Sequence, residues 1–541
     1  MTASFRPIFS LLLCGLVCAQ ASAEEPYRSA PDRPVDIERI DLDLSVDLKK
    51  KRIAGTATIS LKALRDLERF GLDAVDHQIS SVSTTGTKAQ RLSHDYDGKR
   101  LVIERKLKRG ERLRFTINYV VEEPEEGLYF FGPSKESPNV PYQVWSQGES
   151  LFSRYWFPCV DHPDERQSTS IVARVAKGLT VVSNGAHLGI SKGKDGTAIW
   201  RFEQKREHVA YLVTLVVGTF ATITAKPWRG KVPVTYYVPP DRKDDALRSF
   251  GRTHEMMDLF SKLTGVDYPW PKYEQVVVEQ FSYGGMENTG ATTLNERTLH
   301  DERAHLDYSS EGLVAHELAH QWYGDLLTCR DWAHTWLNES FATYFDALWT
   351  EHSQGADAYA YELFKNSERG IPAGRSRPIV DRYYPSSDSM FDGRVYPKGS
   401  CVLHMLRRQL GETYFWEGIR GYTRALSDKS VESVDLRRSF ERVSGRNLER
   451  FFHQWTERAG HPVLDVKLAR DSRRGYLTVT ITQKQRGRPM RSPQSSCSGS
   501  GSARSATPST CEPRASASCS PRARPRLTSD SIRARRCSSK S

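Results

Sequence analysis

The segment "VAHELAHQWYG" sets His316 and His320 four residues apart, with Glu317 beside the first. On an α-helix, residues at i and i+4 share one face, so two imidazoles at this spacing can reach one cation together. Glu317 then projects beside that cation, where its carboxylate can hold and deprotonate a water. The chemistry of such a set is metal-assisted hydrolysis. The pattern is short, and an ordinary helix that carries two histidines is the alternative. A hydrolytic metal site also needs a third protein ligand and one open position for water. Glu339, in "HTWLNESFATYF", lies nineteen residues beyond His320 on what reads as the next helix. It could instead be a solvated surface acid. Trp336, Leu337, Phe341 and Phe345 argue against that, because a lone carboxylate is costly in apolar surroundings and a ligated one is not.

The elements that must position these groups follow from periodicity. "SSEGLVAHELAHQWYGDLL" is expected to be helical, capped by Ser309 or Ser310, burying Leu313, Val314, Leu318 and Trp322 at helical spacing. From about Asp241 to Arg458 the pattern is mostly helical, with Gly and Pro punctuation and few strand-like runs such as "EQVVVEQF". Upstream, from about Asp36 to Ile223, strands dominate. "IDLDLSVDL" and "IAGTATISL" each alternate apolar and polar residues around a Lys-rich turn, which predicts a hairpin with one buried face and an antiparallel β domain. From Gly460, "HPVLDVKLARDSRRGYLTVTITQKQ" reads as two further strands, and that pattern stops at Arg486. No internal repeat is evident.

Length and composition set the frame. The 541 residues leave room for about three domains, and 38% hydrophobic with 27% charged residues fits a soluble globular protein. Arg6, the apolar run Ile8 to Val17 and "ASA" before Glu24 read as a secretory signal peptide, so a secreted or periplasmic location is expected. A lipid anchor on Cys18 is the weaker alternative, since Val17 precedes it where a small residue belongs. No later stretch reaches the ~20 apolar residues of a membrane span. The net charge of +12 is concentrated at one end: residues 486–541 hold twelve Lys+Arg against two Asp+Glu. That tail is crowded with Ser, Pro and Ala, so nucleic-acid binding by the body of the protein is not expected. Of nine cysteines only Cys159, Cys329 and Cys401 lie in the body, an odd and sparse set that reads as buried free thiols.

HELAH followed by WLNE at that distance resembles the gluzincin zinc aminopeptidases, the family of the aminopeptidase N and leukotriene hydrolase type. "YGGMENTG" resembles that family's GxMEN element, an edge strand of the active site, which places Gly284, Gly285, Met286, Glu287 and Asn288 at the substrate. "YPWPKYEQVVVEQF", "WFPCVDHPDER" and "VYPKGSCVL" match further stretches, and the resemblance runs from about residue 36 to 485. It implies that His316, His320 and Glu339 hold one zinc ion per chain and that Glu317 is the general base. It also implies that Tyr396 hydrogen-bonds the tetrahedral oxyanion and that Glu287 binds the substrate's α-ammonium. Gln147 and Glu149 of "SQGES" stand where the family has a polar pair lining the amine pocket. Structural roles are the alternatives for Glu149, Tyr396 and Glu287. His334 and His404 match no family position and read as structural or exposed.

The implied substrates are peptides with a free N-terminus. An endopeptidase would have no reason to present Glu287 near the metal, a non-catalytic scaffold would have no reason to keep all five positions, and nothing requires an epoxide hydrolase activity. Two departures from the family pattern bear on pocket shape: Ser340 replaces a glycine after the ligand glutamate, and Thr289 follows "MEN" where an aromatic is common. The expected architecture is multidomain α+β. It comprises a signal peptide (1–23), an N-terminal antiparallel β domain (24–225), a thermolysin-like, mostly helical catalytic domain (226–458) and the start of a C-terminal β-sandwich (459–485). A basic low-complexity tail (486–541) follows, as a frameshift in a GC-rich gene or a sequencing error would leave; an uninterrupted sandwich-like sequence in another frame of the coding DNA would establish that, and its absence would refute it.

Overall fold

Two long strands with alternating burial begin the chain's first layer. The computed structural model describes residues 25–471, 476–485 and 489–490; the expected signal peptide and nearly all of the expected tail lie outside them. Val35–Asp47 and Arg52–Ala63 pair antiparallel through a turn at Lys49–Lys51, with Ile40 opposite Ile59, Leu42 opposite Ala57 and Leu44 opposite Gly55. The alternation puts Ile40, Leu42, Leu44 and Ile59 on one face, in a core shared with Phe115 and Ile117. Gly55 admits no side chain there, because a Cβ would lie 1.9 Å from the Asp43 carbonyl oxygen.

These strands sit inside a seven-stranded sheet. Its order is Ala186–Lys192, Ala198–Val209, Arg166–Val175, Val35–Asp47, Arg52–Ala63, Arg112–Glu122 and Gln78–Thr84. The sheet is mixed rather than antiparallel, since Val35–Asp47 runs parallel to Arg166–Val175. Alternation reveals which face is buried but not the direction of a neighbour that returns after residues 48–165. A four-stranded sheet of Thr180–Ser183, Leu215–Gly218, Gln143–Ser146 and Leu128–Phe131 and a three-stranded sheet of Phe70–Asp73, Arg100–Ile103 and His94–Tyr96 complete this β-rich domain.

The helical domain carries a sheet of its own, with five strands in the order Ala221–Thr224, Val234–Val238, Tyr273–Val278, Ala291–Asn295 and Gly285–Met286. Ala221–Thr224 belongs to this sheet, so the sheet begins before the boundary expected at residue 226. Gly285–Met286 is its edge. Against the sheet lie the helices Glu311–His320 and Trp336–Gln354, packed on Trp322, Trp336, Phe341 and Phe345. The two helices run antiparallel: Gly312 faces Asp346, whereas His316 and His320 face Glu339. The Ser309 hydroxyl accepts from the Glu311 amide at 3.2 Å and caps the first helix, while Ser310 turns away to the Thr298 carbonyl. Leu313, expected in the core, is only half-buried and faces a cleft.

A third apolar cluster joins the two domains through Trp145, Tyr211, Val276, Met286 and Trp332. Beside it, buried Arg166 donates to the Thr328 hydroxyl at 2.6 Å and to the carbonyls of Asp325 (2.8 Å) and Glu207 (2.9 Å). At the C-terminal end, Leu464–Asp471 and Tyr476–Gln483 form an antiparallel pair, and the rest of the expected sandwich lies outside the described residues. No helix among the described residues is long and apolar enough to cross a membrane. Cys159 and Cys329 are buried free thiols, and Cys401 is half-buried. Replacing Arg166 with Met is expected to strand its buried acceptors and to lower unfolding stability by about 2 kcal/mol, read as a lower urea midpoint at unchanged slope.

Candidate active site

Helical spacing and packing bring His316, His320 and Glu339 to one point. The Nε2 atoms of the two histidines are 3.1 Å apart, and Glu339 Oε2 lies 3.4 Å from the first and 3.3 Å from the second. Bonds of ~2.0–2.1 Å to a tetrahedral ion put neighbouring ligand atoms about 3.3 Å apart, so this triangle is the base of such a tetrahedron. Glu339 Oε2 is buried without a hydrogen-bond partner among the described residues. The Nδ1–H of His320 donates to the Tyr323 carbonyl at 2.9 Å, which fixes the ring and turns the Nε2 lone pair to the centre. The residues therefore fit a metal ion.

Asp331, His334 and Glu432 form another potential ligand group. Arg382 fills it, donating to Asp331 Oδ2 at 3.0 Å and to His334 Nε2 at 2.9 Å. His334 is thus buried and structural, and His404 meets the Tyr359 hydroxyl at 3.0 Å, away from the cleft.

The triangle opens into a cavity of about 540 Å³. The edge strand lies along the metal helix in register: Gly284 abuts Leu313, Gly285 abuts Glu317, and Glu287 lies near Gly324 and His320 at the helix end. Gly285 is where the strand comes closest, since a Cβ there would sit 2.4 Å from Glu317 Oε1. Met286 and Asn288 flank Glu287; Met286 Sδ accepts from Gln147 Nε2 at 3.1 Å, and Asn288 Nδ2 donates to Thr293 Oγ1 at 3.1 Å. The strand Gln143–Ser146 delivers Gln147 and Glu149 to the same cavity across the domain interface. Gln147 Oε1, Glu149 Oε1 and Glu287 Oε1 are all buried and lack hydrogen-bond partners among the described residues. Tyr396 enters the lining on a single π-helical turn, Arg394–Lys398, its ring stacked on His316 with centroids 6.0 Å apart.

The lining carries Glu149, Glu287, Glu317, Glu339, Asp346 and Asp388, and no lysine or arginine. Burial raises the carboxyl of Glu149 well above its ordinary range, and the neighbouring Glu287 adds to this. Burial likewise raises Glu287 and Glu317, against the pull of His320. Glu339 moves the other way: burial opposes ionisation, but His320 and His316 outweigh it and hold the carboxyl at about 2. For His320, burial is outweighed by Glu287 and Glu339, which raise it. Burial, reinforced by Glu339, keeps the Tyr396 phenol protonated. The cluster is short of positive charge, the condition a bound cation relieves.

Some positioning groups carry no signal in the chain pattern. Gln321 donates to the Glu287 carbonyl and accepts from the Gly290 amide, both at 2.8 Å, pinning the edge segment to the end of the metal helix. Gly324, at φ +139°, lets that segment approach, since a Cβ would lie 3.1 Å from His320 Nδ1. Ser340 and Thr289 do not line the cavity. The Ser340 hydroxyl donates to the Val395 carbonyl at 2.5 Å, tying the ligand helix to the turn that carries Tyr396. The Thr289 carbonyl accepts from Asn184 at 2.9 Å.

Residues 36–212 match the peptidase M1 N-terminal domain, and residues 248–455 match the peptidase family M1 domain. Probable aminopeptidase 1 of Saccharolobus solfataricus is 27% identical over 445 residues, 80% of this chain and 54% of that protein. The puromycin-sensitive aminopeptidase of Caenorhabditis elegans is 27% identical over 485 residues, 85% of this chain and 50% of that protein. Aminopeptidase N of Streptomyces lividans is 27% identical over 477 residues, 85% of this chain and 54% of that protein. The chain spans about half the length of these relatives.

Titration against a metallochromic indicator is expected to find one tight divalent transition-metal site per chain. Glu339→Ala should weaken it by on the order of 100-fold or more, because one corner of the triangle is lost.

Proposed function

The chain belongs to peptidase family M1, and from that premise we propose that it is a zinc-dependent aminopeptidase that removes the N-terminal residue from peptides. One observation carries the proposal: three buried acceptors, Gln147 Oε1, Glu149 Oε1 and Glu287 Oε1, stand beside the metal triangle without a hydrogen-bond partner among the described residues. A substrate α-ammonium offers three N–H donors and a positive charge, which matches both the number and the sign of what the pocket lacks. Glu287 Oε1 is 3.8 Å from the ring of the ligand His320, so the anchored amine lies about one residue from the metal position. That spacing fixes which bond is cut.

His316, His320 and Glu339 would hold the zinc, which when bound supplies a Lewis acid for the scissile carbonyl and acidifies the attacking water towards ~7. Glu317 takes the proton from that water and passes it to the departing amine. Tyr396, its ring stacked on His316, donates its phenolic hydrogen to the oxyanion. An internal peptide bond would leave the three amine acceptors unpaired and buried, which disfavours endopeptidase action.

The same reading takes residues 1–23 as a cleaved signal and the mature enzyme as secreted or periplasmic. N-terminal sequencing of the mature protein should begin at Glu24; an intact Met1 would refute the export reading.

Aminoacyl anilides with a free amine are expected to be hydrolysed in a chelator-sensitive manner, while their N-acetylated counterparts are not. Cleavage of the blocked compounds would overturn the assignment. Glu317→Gln should lower kcat by on the order of 10³-fold or more while the zinc content stays at one per chain, and loss of the metal in that variant would count against the proton-transfer role.

A further inference from the structure

The cavity continues past the metal triangle, away from the amine acceptors. Glu287 marks one end, where the metal helix finishes near Gly324. Gly312, Leu313 and Gly284 mark the other, one turn before His316. A peptide anchored by its amine at Glu287, with its first carbonyl at the metal, must therefore run its second residue towards Gly312 and Leu313. Four residues of helix span about 6 Å, close to the advance of two residues of extended chain.

Asp346 waits at that end. It lies on the helix Trp336–Gln354, two turns beyond Glu339, and faces the cavity through Gly312. With no side chain at 312 the carboxylate is accessible; a Cβ there would already lie 3.1 Å from Asp346 Oδ1. Asp346 makes no hydrogen bond or ion pair among the described residues. Lys365, the cation close enough to influence it, is paired to Glu362 at 2.5 Å. Burial, with Glu362 adding to it and Lys365 opposing, pushes the Asp346 carboxyl up to about 8. This is a group whose ionised form is left without a partner.

We propose that Asp346, reached through the gap at Gly312, forms the subsite for the residue after the scissile bond and selects lysine or arginine there. The inference rests on the amine-anchoring reading of Glu287 and Glu149, because that sets the direction of the peptide. An incoming ammonium or guanidinium supplies the partner that the ionised carboxylate lacks and draws the proton off it, whereas an acidic side chain would add negative charge to a lining already rich in carboxyl groups. A long basic side chain also suits a carboxylate set back behind the helix surface.

The test uses the full chain loaded with zinc and three tripeptides that share a free leucine at the N-terminus: Leu-Lys-Gly, Leu-Leu-Gly and Leu-Glu-Gly. Leucine release should give kcat/KM for the lysine peptide about tenfold above the leucine peptide, with the glutamate peptide slowest. In Asp346→Asn the lysine-to-leucine ratio should fall towards one. Gly312→Leu, which closes the gap and leaves the carboxylate intact, should lower the same ratio and decides the matter if the first variant does not fold. Equal kcat/KM for the three peptides in the unaltered protein would overturn the inference and leave the aminopeptidase reading standing. A lysine preference that survives both variants would assign it to the general acidity of the cavity and also overturn the role of Asp346. Silence on all three peptides would remove the hydrolytic reading and this inference with it.

Discussion

Buried carboxylates crowd around one point of the molecule, and the elements about them are arranged to hold that crowding. Glu149, Glu287, Glu317 and Glu339 share a cavity with two imidazoles and no lysine or arginine in its lining. Taking such groups out of water is costly unless opposite charge compensates them, and the protein supplies only the histidines. On the proposed reading, a bound cation at the triangle and a substrate ammonium beside it would be the two charges that complete the balance. The scaffold is accordingly rigid where these groups attach. His316 and His320 project from a helix packed on Trp322 and Trp336, Glu339 from the first turn of the next, and Glu287 follows a strand pinned by Gln321.

The side of the cleft that carries Gln147, Glu149 and Glu287 is made by two domains. Gln147 and Glu149 follow a strand of the β-rich domain, and Glu287 follows the edge of the other domain's sheet. What brings them together is the apolar cluster of Trp145, Tyr211, Met286 and Trp332, with Arg166 hydrogen-bonded across the same junction. A slip at this interface would separate the acceptors without altering the metal triangle. Stability of the junction and the grouping of these three acceptors are therefore coupled, whereas the triangle of His316, His320 and Glu339 depends on the helix pair alone.

The Tyr396 wall follows a different logic. Its turn is held from below by Arg394, wholly buried and bonded to Asp392 and Asp381, and from the side by the Ser340 hydroxyl on Val395. Ser340 follows the ligand Glu339 directly, so one helix turn both completes the metal triangle and positions the phenol. The glycine-to-serine departure visible in the chain pattern thus acts behind the wall, and its hydroxyl finds an acceptor that only the fold supplies.

What local geometry can carry was legible in the order of residues. Four-residue spacing put His316 and His320 on one face, apolar neighbours marked Glu339 as enclosed, and alternation identified the hairpin of Val35–Asp47 and Arg52–Ala63, because backbone periodicity depends only on the conformation of consecutive residues. Long-range packing set the rest. It turned the first sheet mixed by laying Arg166–Val175 parallel to Val35–Asp47, moved Ala221–Thr224 into the second sheet, left Leu313 facing the cleft, and set Asp346 behind the gap at Gly312. Each of these depends on which segments pack together across long separations, and an apolar or charged residue carries in its own spacing no record of the partner it will meet.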